Sequence, residues 1–268
     1  MSVLTIIPAR LGATRLPRKP LRLLGGVPVV VRVYQRVQQL GFGEHCVVAT
    51  DHEEILEACA HHGVHAVLTE SNHPSGTDRV AEVARLAQFR EHSVILNVQG
   101  DEPFVTGEAL AGAVLQVASG KAMIGTVAAP ASSAVLMRPD VVKVVKDDRG
   151  FALYFSRAPI PFLRDAESDA DRTRQRALVR QHIGVYAYSP SALQQWVALS
   201  PHPLELVEKL EQLRALANGL TIAVADVAAA PEGGIDTEED LMRANARWQL
   251  DLPTAIDTAL SNQIPSTA

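Results

Sequence analysis

Five cationic side chains lie close together near the start of the chain. Within 13 residues the sequence places Arg10, Arg15, Arg18, Lys19 and Arg22. Arginine forks and a lysine point charge, together with backbone N–H groups, are the groups that bind a polyphosphate. The cluster therefore predicts phosphate binding, and a solvated basic loop is the alternative interpretation.

Two aspartates could add a divalent cation to such a phosphate site. Asp101 follows an apolar segment at residues 94–99, and Asp236 lies after the last predicted strand. Carboxylate oxygens are preferred ligands of Mg²⁺, and two aspartates converging on one cleft would make a site for one or two ions. Their convergence is a hypothesis at this stage, because Asp236 is equally well placed to cap the helix that follows.

The two most familiar phosphate-binding motifs are missing from the sequence. There is no GxxxxGK[ST] segment, which argues against a P-loop. The pair Gly41 and Gly43 lacks the third glycine of the dinucleotide fingerprint and follows a predicted helix rather than a strand. An NAD-dependent dehydrogenase is therefore disfavoured.

Alternating strands and helices must position these side chains in the first half of the chain. Helical patterns separate short apolar segments at residues 4–7, 46–49, 64–68 and 94–99. This order predicts a mostly parallel sheet covered by helices on both faces. Thr50 and Glu53 form a candidate capping box for the helix after the second strand. Because such sheets bind ligands at the carboxyl ends of strands, we expect the cationic cluster and Asp101 to meet there.

The second half of the chain predicts a different arrangement. Two apolar segments at 141–146 and 151–155 flank a polar turn and predict a β-hairpin. Periodicity also predicts a strand at 183–188, one continuous helix from about 204 to 217 with Val207 on its apolar side, and a strand at 221–227. Either Asp236 or Thr237 should cap a final helix that ends near residue 249.

Composition and charge limit the class of protein. The chain has 268 residues, of which 47% are hydrophobic and 21% charged, as expected for a globular protein and not for a disordered one. With 25 basic and 30 acidic residues the net charge is −5, which disfavours nucleic-acid binding through the whole surface. Two cysteines suit a reducing cytoplasm. We expect neither a signal peptide nor a membrane span.

Several motifs in the same order along the chain together resemble one known enzyme family. They are IIPAR (6–10), TRLP (14–17), KPL (19–21), SGTDR (75–79), NVQGDEP (97–103), YFSR (154–157), HIGVY (182–186), LEQLR (210–214) and DT (236–237). From about residue 3 to residue 248 the chain resembles the cytidylyltransferases of 3-deoxy-manno-octulosonate (Kdo), the CMP-Kdo synthetases. The tail beyond residue 251 lies outside the resemblance.

The resemblance implies a fold, an activity and partners. The fold would be α/β, Rossmann-like and of the nucleotide-diphospho-sugar transferase type, with a mostly parallel sheet flanked by helices and a hairpin insertion in the second half. One domain would span 1–250, with a CTP-binding half (1–120) and a sugar-binding and dimerisation half (121–250), before a tail (251–268). The reaction would join CMP from CTP to Kdo and release pyrophosphate, with Mg²⁺, in a cytoplasmic homodimer serving lipopolysaccharide biosynthesis. Neither nucleic acid nor membrane insertion is implied.

The resemblance also assigns site residues by position. The implied catalytic residues are Arg15, Lys19 and Asp101. The implied nucleotide-binding residues are Pro8, Ala9, Arg10, Arg15, Lys19, Ser75, Gly76, Arg79 and Asp101. The implied sugar-binding residues are Gln99, Arg157, Arg164, His182, Tyr186, Glu211 and Gln212. The implied Mg²⁺ ligands are Asp101 and Asp236. Arginines and the histidine suit the carboxylate of Kdo, and the other polar side chains suit its hydroxyls.

Two positions depart from the family pattern. Gln181 stands where the family usually has Arg, and Arg18 stands where Gly is expected; Arg180 could compensate for the first. The substrate is then open between Kdo and another acidic sugar, such as 8-amino-Kdo or sialic acid. A non-catalytic nucleotide-binding protein on the same fold is the alternative from a different class.

Overall fold

A nine-stranded mixed sheet forms the centre of the molecule in the computed structural model, which describes residues 1–12, 15–165 and 168–251. The strands, including a separate two-stranded ribbon (β2 and β3), are β1 Val3–Ala9, β2 Leu23–Leu24, β3 Val27–Pro28, β4 Cys46–Thr50, β5 Ala66–Leu68, β6 Val94–Asn97, β7 Ile124–Pro130, β8 Lys143–Lys146, β9 Ala152–Ser156, β10 Arg180–Tyr188 and β11 Ile222–Asp226. Thr14 lies outside the described residues. The predicted tail also lies outside them, except for its first residue, Asp251.

The sheet order is β11-β7-β10-β6-β1-β4-β5, with β8 attached to β10 and β9 attached to β8. The pairs β1–β4, β1–β6, β4–β5 and β7–β11 are parallel. Strand β10 is antiparallel to both β6 and β7. The predicted mostly parallel sheet and the predicted hairpin of β8 and β9 are confirmed.

Helices cover both faces of the sheet. They are α1 Val29–Gln39, α2 Glu53–His61, α3 Gly76–Ala84, α4 Gly107–Ala118, α5 Ser133–Leu136, α6 Asp169–Ala177, α7 Pro190–Ala198, α8 Pro203–Glu208, α9 Gln212–Ala217 and α10 Glu238–Asp251. Alternate residues of β1 enter different cores: Ile7 packs with Val33 of α1, and Ile6 packs with Val80 of α3. None of the described helices is long and apolar enough to cross a membrane.

A third, small core joins the two ends of the domain. Leu16 from the cationic segment packs with Ile235 and with Leu241 of α10. Burial of these side chains brings residues 15–19 against residues 235–241. The small core therefore decides where the cationic segment and Asp236 sit relative to each other.

The predicted continuous helix from 204 to 217 is wrong, because the chain breaks into α8 and α9. Lys209 adopts a left-handed backbone (φ 55°), which ends α8. The break lets buried Glu205 accept two hydrogen bonds from Arg214, at 2.6 and 2.8 Å. In one straight helix these residues would be about 13.5 Å apart along the axis. Val207, expected on the apolar side, is 82% exposed.

One of the two predicted helix caps is also wrong. His52, not Thr50, caps α2, since its side chain accepts a hydrogen bond from the Glu54 N–H and Thr50 is buried in β4. For α10 the cap is Thr237, whose Oγ1 accepts from the Asp240 N–H at 3.2 Å. The side chain of Asp236 is thus not needed as the cap.

Candidate active site

A cleft of about 460 Å³ opens at the carboxyl ends of β1 and β6. All nine predicted nucleotide-binding residues line it, together with Gln99, Glu211 and Asp236 of the other predicted sets. The turn after β6 packs tightly on the end of β1: a Cβ atom on Gly100 would lie 2.7 Å from the Pro8 carbonyl oxygen. Glycine is required there because no side chain fits.

Lys19 is the centre of the charged groups in this cleft. Its Nζ donates to a carboxylate oxygen of Asp101 and, at 2.8 Å, to Asp236 Oδ1. Arg15 donates to the other oxygen of Asp236 at 2.9 Å. Burial alone would lower the pKa of Lys19, but the two carboxylates outweigh it and raise that pKa. The aspartates therefore converge, and their role as metal ligands stays a prediction.

Glu102 adds a third carboxyl group that sequence reasoning missed, although it lies inside the NVQGDEP motif. Burial and the negative charges of Asp101 and Asp236 raise its pKa to about 8. Glu102 therefore favours its protonated form, and Lys19 and Arg15 balance the charges of Asp101 and Asp236. The carboxylate oxygens of the two aspartates are the donors that suit Mg²⁺. Within the described residues no cluster of three or more metal-ligating side chains exists, so other ligands would come from substrate and water.

The second wall of the cleft is the start of α3. Ser75 caps the helix by accepting from the Asp78 N–H at 3.3 Å, and its hydroxyl donates to the Asp78 carboxylate at 2.6 Å. Arg79 is buried and donates to Asp51 Oδ2 at 2.8 Å and to Thr69 Oγ1. The Asp51 and Thr69 contacts fix this arginine to the ends of β4 and β5 beneath the cleft.

His73 also lines the cleft and was missed by sequence reasoning. Its Nε2 contacts the carboxylate of Glu82, which also accepts the Glu70 N–H at 3.0 Å. The contact ties the loop before Ser75 back onto α3. The only sequence signal for it was a histidine two residues ahead of a helix cap.

A second cavity of about 960 Å³ adjoins the cleft and shares Arg15, Asp101 and Asp236 with it. Its wall includes His182 and Gln181 of β10, the segment 138–142, residues 230–234 and the start of α10. The shared residues thus lie where a ligand in one cavity would meet a ligand in the other.

The wall segment 138–142 is held in place by a buried lysine that sequence reasoning missed. Lys143 Nζ donates to the carbonyl oxygens of Val141 (2.7 Å), Arg138 (2.8 Å) and Arg157 (2.6 Å). The side chain is fully buried, and burial lowers its pKa. A buried ammonium group that donates to three carbonyls fixes both chain segments around it.

The predicted sugar-binding residues fall into different places. His182 lines the second cavity, whereas Gln99 and Glu211 line the first cleft. Thr77 donates to Glu211 Oε2 at 2.6 Å, and burial raises the pKa of Glu211. The residues that line neither cavity are Arg157, Arg164, Tyr186 and Gln212.

Each of these four has a definite environment. Arg157 donates to the Glu208 carbonyl at 2.8 Å and to the Pro139 carbonyl at 3.0 Å. Arg164 is exposed, and Gln212 is buried at the start of α9. Tyr186 is buried and stacks on Tyr188, with no hydrogen-bond partner for its hydroxyl in the described residues. Their contact with sugar stays a prediction.

The environment of His182 does not suit the expected pairing with a sugar carboxylate. Its ring packs edge-on against Phe155 at 5.0 Å and lies 5.4 Å from the Tyr186 ring. Burial lowers the pKa of His182 to about 3. The imidazole is therefore neutral, and the cation expected from its residue type is absent.

Comparison with known proteins agrees with this geometry. The sequence model described as "Cytidylyltransferase" matches residues 4–222. A 3-deoxy-manno-octulosonate cytidylyltransferase of Gemmatimonas aurantiaca is 67% identical over 250 residues, covering 93% of this chain and 95% of the relative. The chain belongs to the 3-deoxy-manno-octulosonate cytidylyltransferase family. A member from Polynucleobacter necessarius is 48% identical, covering 90% of this chain and 93% of its own.

Solved structures give the same family and a wider fold group. A CMP:2-keto-3-deoxy-manno-octonic acid synthetase complexed with CTP superposes with a TM-score of 0.84 at 35% identity, covering 94% of this chain and all of its own. A 4-diphosphocytidyl-2C-methyl-D-erythritol synthase from Anaerococcus prevotii has a TM-score of 0.59 at 16% identity, covering 92% and 98%, which shows the fold alone.

Arg18, which stands where the family pattern has glycine, forms a specific contact with α2. Its backbone is left-handed (φ 58°, ψ 29°), which explains why glycine is expected there. The guanidinium pairs through two nitrogens with the Glu54 carboxylate on α2, one contact being 3.1 Å. The pair ties the segment before Lys19 to α2.

Gln181, the second departure from the family pattern, lines the second cavity. The neighbouring Arg180 points elsewhere, since its Nε donates to Asp226 at 3.1 Å, and it lines neither cavity. Compensation for the missing arginine by Arg180 therefore does not fit the structure.

Proposed function

We propose that this chain transfers the CMP group of CTP to Kdo and releases pyrophosphate. The observation that carries the proposal is the contact of Lys19 with both Asp101 and Asp236 where the two cavities join. A triphosphate in the first cleft and an acceptor sugar in the second would meet at this point. The family of the chain supplies the substrate class.

The reaction is an attack of the anomeric hydroxyl oxygen on the α-phosphorus of CTP. A new P–O bond forms, the hydroxyl proton passes to solvent, the bond from the α-phosphorus to the bridging oxygen breaks, and pyrophosphate leaves with that oxygen. Lys19 and Arg15 would neutralise the negative charge that develops on the phosphate oxygens. Arg10, at the end of β1, would hold the rest of the triphosphate.

We propose that Asp101 and Asp236 hold Mg²⁺ beside these phosphates. The convergence of the two carboxylates beside the cleft that would hold the triphosphate supports a cation at this position. When bound, Mg²⁺ would neutralise phosphate charge and lower the pKa of the attacking hydroxyl, so that no protein base is needed. The ammonium of Lys19 would remain next to the carboxylate oxygens of Asp101 and Asp236.

The first cleft also supports selection of a pyrimidine nucleotide. The end of β1 and the start of α3 approach closely there, since a Cβ atom on Gly76 would lie 3.6 Å from the Pro8 side chain. We propose that backbone groups of these two segments read the cytosine edge and leave no platform for a purine. CTP would then be used in preference to ATP and GTP.

We also propose a domain organisation, an assembly and a location for the protein. Residues 1–250 would act as one domain, because β10 of the second half pairs with β6 of the first. A homodimer would use the hairpin, where Leu153 of β9 is 62% exposed and the strand has an open edge. Free, buried Cys46 and Cys59 suit the cytoplasm.

Pyrophosphate release from CTP and Mg²⁺ tests the function directly. Kdo should give the highest kcat/KM among Kdo, 8-amino-Kdo, sialic acid and sugar 1-phosphates, with a Lys19→Met variant setting the background. Faster turnover of another acidic sugar would change the substrate. Nucleotide binding without pyrophosphate release for any acceptor would favour the non-catalytic alternative.

A further inference from the structure

A threonine hydroxyl lies behind the wall of the second cavity and contacts His182. Thr126 of β7 is fully buried, and its Oγ1 lies 2.9 Å from His182 Nε2. The same oxygen lies 2.7 Å from the Val185 carbonyl oxygen and 3.4 Å from that of Ile183. One hydroxyl therefore contacts two carbonyl acceptors and one ring nitrogen.

The number of available hydrogens decides which way these bonds run. A hydroxyl has one hydrogen, and a carbonyl oxygen can only accept. A separation of 2.7 Å is the usual length of an O–H···O bond, so the hydrogen of Thr126 is donated to Val185. His182 Nε2 must then be the donor in its contact with Thr126. A neutral imidazole with hydrogen on Nε2 has a lone pair on Nδ1.

A β-bulge creates this arrangement. The pairing of β10 with β7 shifts between Ile183 and Tyr186, so Gly184 and Val185 have no opposite residues on β7. Thr126 is paired with Tyr186 at the edge of the bulge and reaches the carbonyls on both sides of Gly184. Bulges of this kind redirect side chains and are common next to active sites.

The second nitrogen of His182, Nδ1, forms no hydrogen bond with the part of the chain that the structure describes. Within the described part of the chain the imidazole forms its hydrogen bond through Nε2, on the side of the sheet core. His182 lines the second cavity, and its Nδ1 is not among the buried polar atoms of the described residues that lack a partner. Nδ1 is therefore an uncharged hydrogen-bond acceptor for a ligand in the cavity, and His182 does not supply a cation there.

We propose that Thr126 is a positioning residue that holds His182 as the Nε2–H tautomer, so that Nδ1 accepts a hydrogen bond from a hydroxyl of the acceptor sugar. This inference rests on the proposed function. Its consequence for specificity is that His182 recognises a hydroxyl and leaves the sugar carboxylate to the arginines of the cavity. A site that pairs with a hydroxyl strongly rejects an analogue lacking it.

The first test reads the tautomer without any reaction. In ¹⁵N spectra of the substrate-free protein at neutral pH, with His182 assigned by its loss in His182→Gln, Nε2 should be protonated and Nδ1 unprotonated. Addition of Kdo with CMP should shift the Nδ1 resonance. Protonation of Nδ1, or an Nδ1 chemical shift that does not change when Kdo is added, would overturn the inference.

The second test compares Thr126→Val with Thr126→Ser. Valine keeps the branched shape without the hydroxyl, and serine keeps the hydroxyl. We expect His182 in Thr126→Val to populate both tautomers, and the KM for Kdo to rise about 10-fold while the KM for CTP stays within twofold. Thr126→Ser should restore the Nε2–H tautomer and the wild-type KM for Kdo. An unchanged KM for Kdo in folded Thr126→Val would refute the sugar contact. A wild type inactive with Kdo would refute the proposed function, while the spectra still decide the tautomer.

Discussion

Lys19 Nζ lies 2.8 Å from Asp236 Oδ1, although 217 positions of sequence separate the two residues. The contact depends on burial of Leu16 with Ile235 in the small core beneath it. Because Thr237 already caps α10, the carboxylate of Asp236 is available to the cleft. This relationship makes the charge of Asp236, rather than a structural role, the property to test.

Asp236→Asn should keep the fold and lose activity. Asparagine has the same size and leaves the Thr237 cap intact, whereas a metal site loses a charge. We expect kcat to fall by about 10²–10³-fold, with a higher Mg²⁺ requirement. Rates across a Mg²⁺ titration, together with Tm, measure both effects.

Asp226→Asn is the control for Asp236→Asn, since Asp226 pairs with Lys146 and lines neither cavity. Asp101→Asn should behave like Asp236→Asn, and the double variant should be little worse than the worse single. Near-normal activity of Asp236→Asn at low Mg²⁺ would show that Asp236 has a structural role and does not bind the metal.

Lys19→Met should damage catalysis more than Kdo binding. The ammonium group is placed to act on charge that grows on the phosphates, so kcat and kcat/KM should fall together, by about 10²-fold or more. Steady-state kinetics with each substrate varied in turn measure the division. A normal kcat with only a raised KM for Kdo would contradict this role.

Arg18→Gly should change Tm little, because two effects oppose each other. Glycine relieves the left-handed backbone of Arg18 but removes its exposed pair with Glu54. Glu54→Gln alone loses the pair and keeps the strain, so it should lower Tm more than Arg18→Gly does. Thermal unfolding of both variants and the double variant measures the coupling, and a larger loss for Arg18→Gly would contradict it.

Lys143→Met should destabilise the protein and loosen the wall of the second cavity. Loss of the ammonium leaves three carbonyl oxygens without their donor, at a cost of about 2–4 kcal/mol. Lys146→Met on the same strand is the matched control, since Lys146 reaches Asp226 at the surface. Denaturant unfolding measures the difference. Equal stability of the two variants would show that the three bonds contribute little.

Glu211→Gln should be more stable than the wild type at neutral pH, yet less active. Burial raises the native pKa of Glu211 above its unfolded value near 4.3. Between these values the native state binds the extra proton, so wild-type stability falls as pH rises. The uncharged variant avoids this cost. Its Tm should therefore exceed the wild-type value at pH 7.

The advantage of Glu211→Gln should vanish below about pH 4, where the wild-type carboxyl is also protonated. Exposed Glu57→Gln should show no comparable rise. Calorimetry at several pH values checks the sign, and a lower Tm for Glu211→Gln at neutral pH would contradict it.

Local features of the sequence were sufficient for strands β1, β4, β5, β6, β10 and β11, for the hairpin and for helices α1–α3 and α10. Strand β7 and helices α4–α7 were missed. Apolar period and turn residues act over a few neighbours, so the β8–β9 hairpin could be predicted from them, whereas the cap of α10 stayed open between Asp236 and Thr237. The helix at 204–217 could not, because its break depends on the buried pair between Glu205 and Arg214. Periodicity carries no information on a contact that exists only after the chain has turned.

By itself the sequence determined which chemistry is available: a cationic segment, two isolated aspartates and the ordered motifs of a cytidylyltransferase. Only the tertiary structure decided that Asp101 and Asp236 meet at Lys19, that Arg157 is held by carbonyl oxygens, and that His182 is neutral. The physical reason is that residue type sets the intrinsic charge and reach of a side chain. Its partners and its exposure to water, which set pKa and direction, come from elements far apart in the chain.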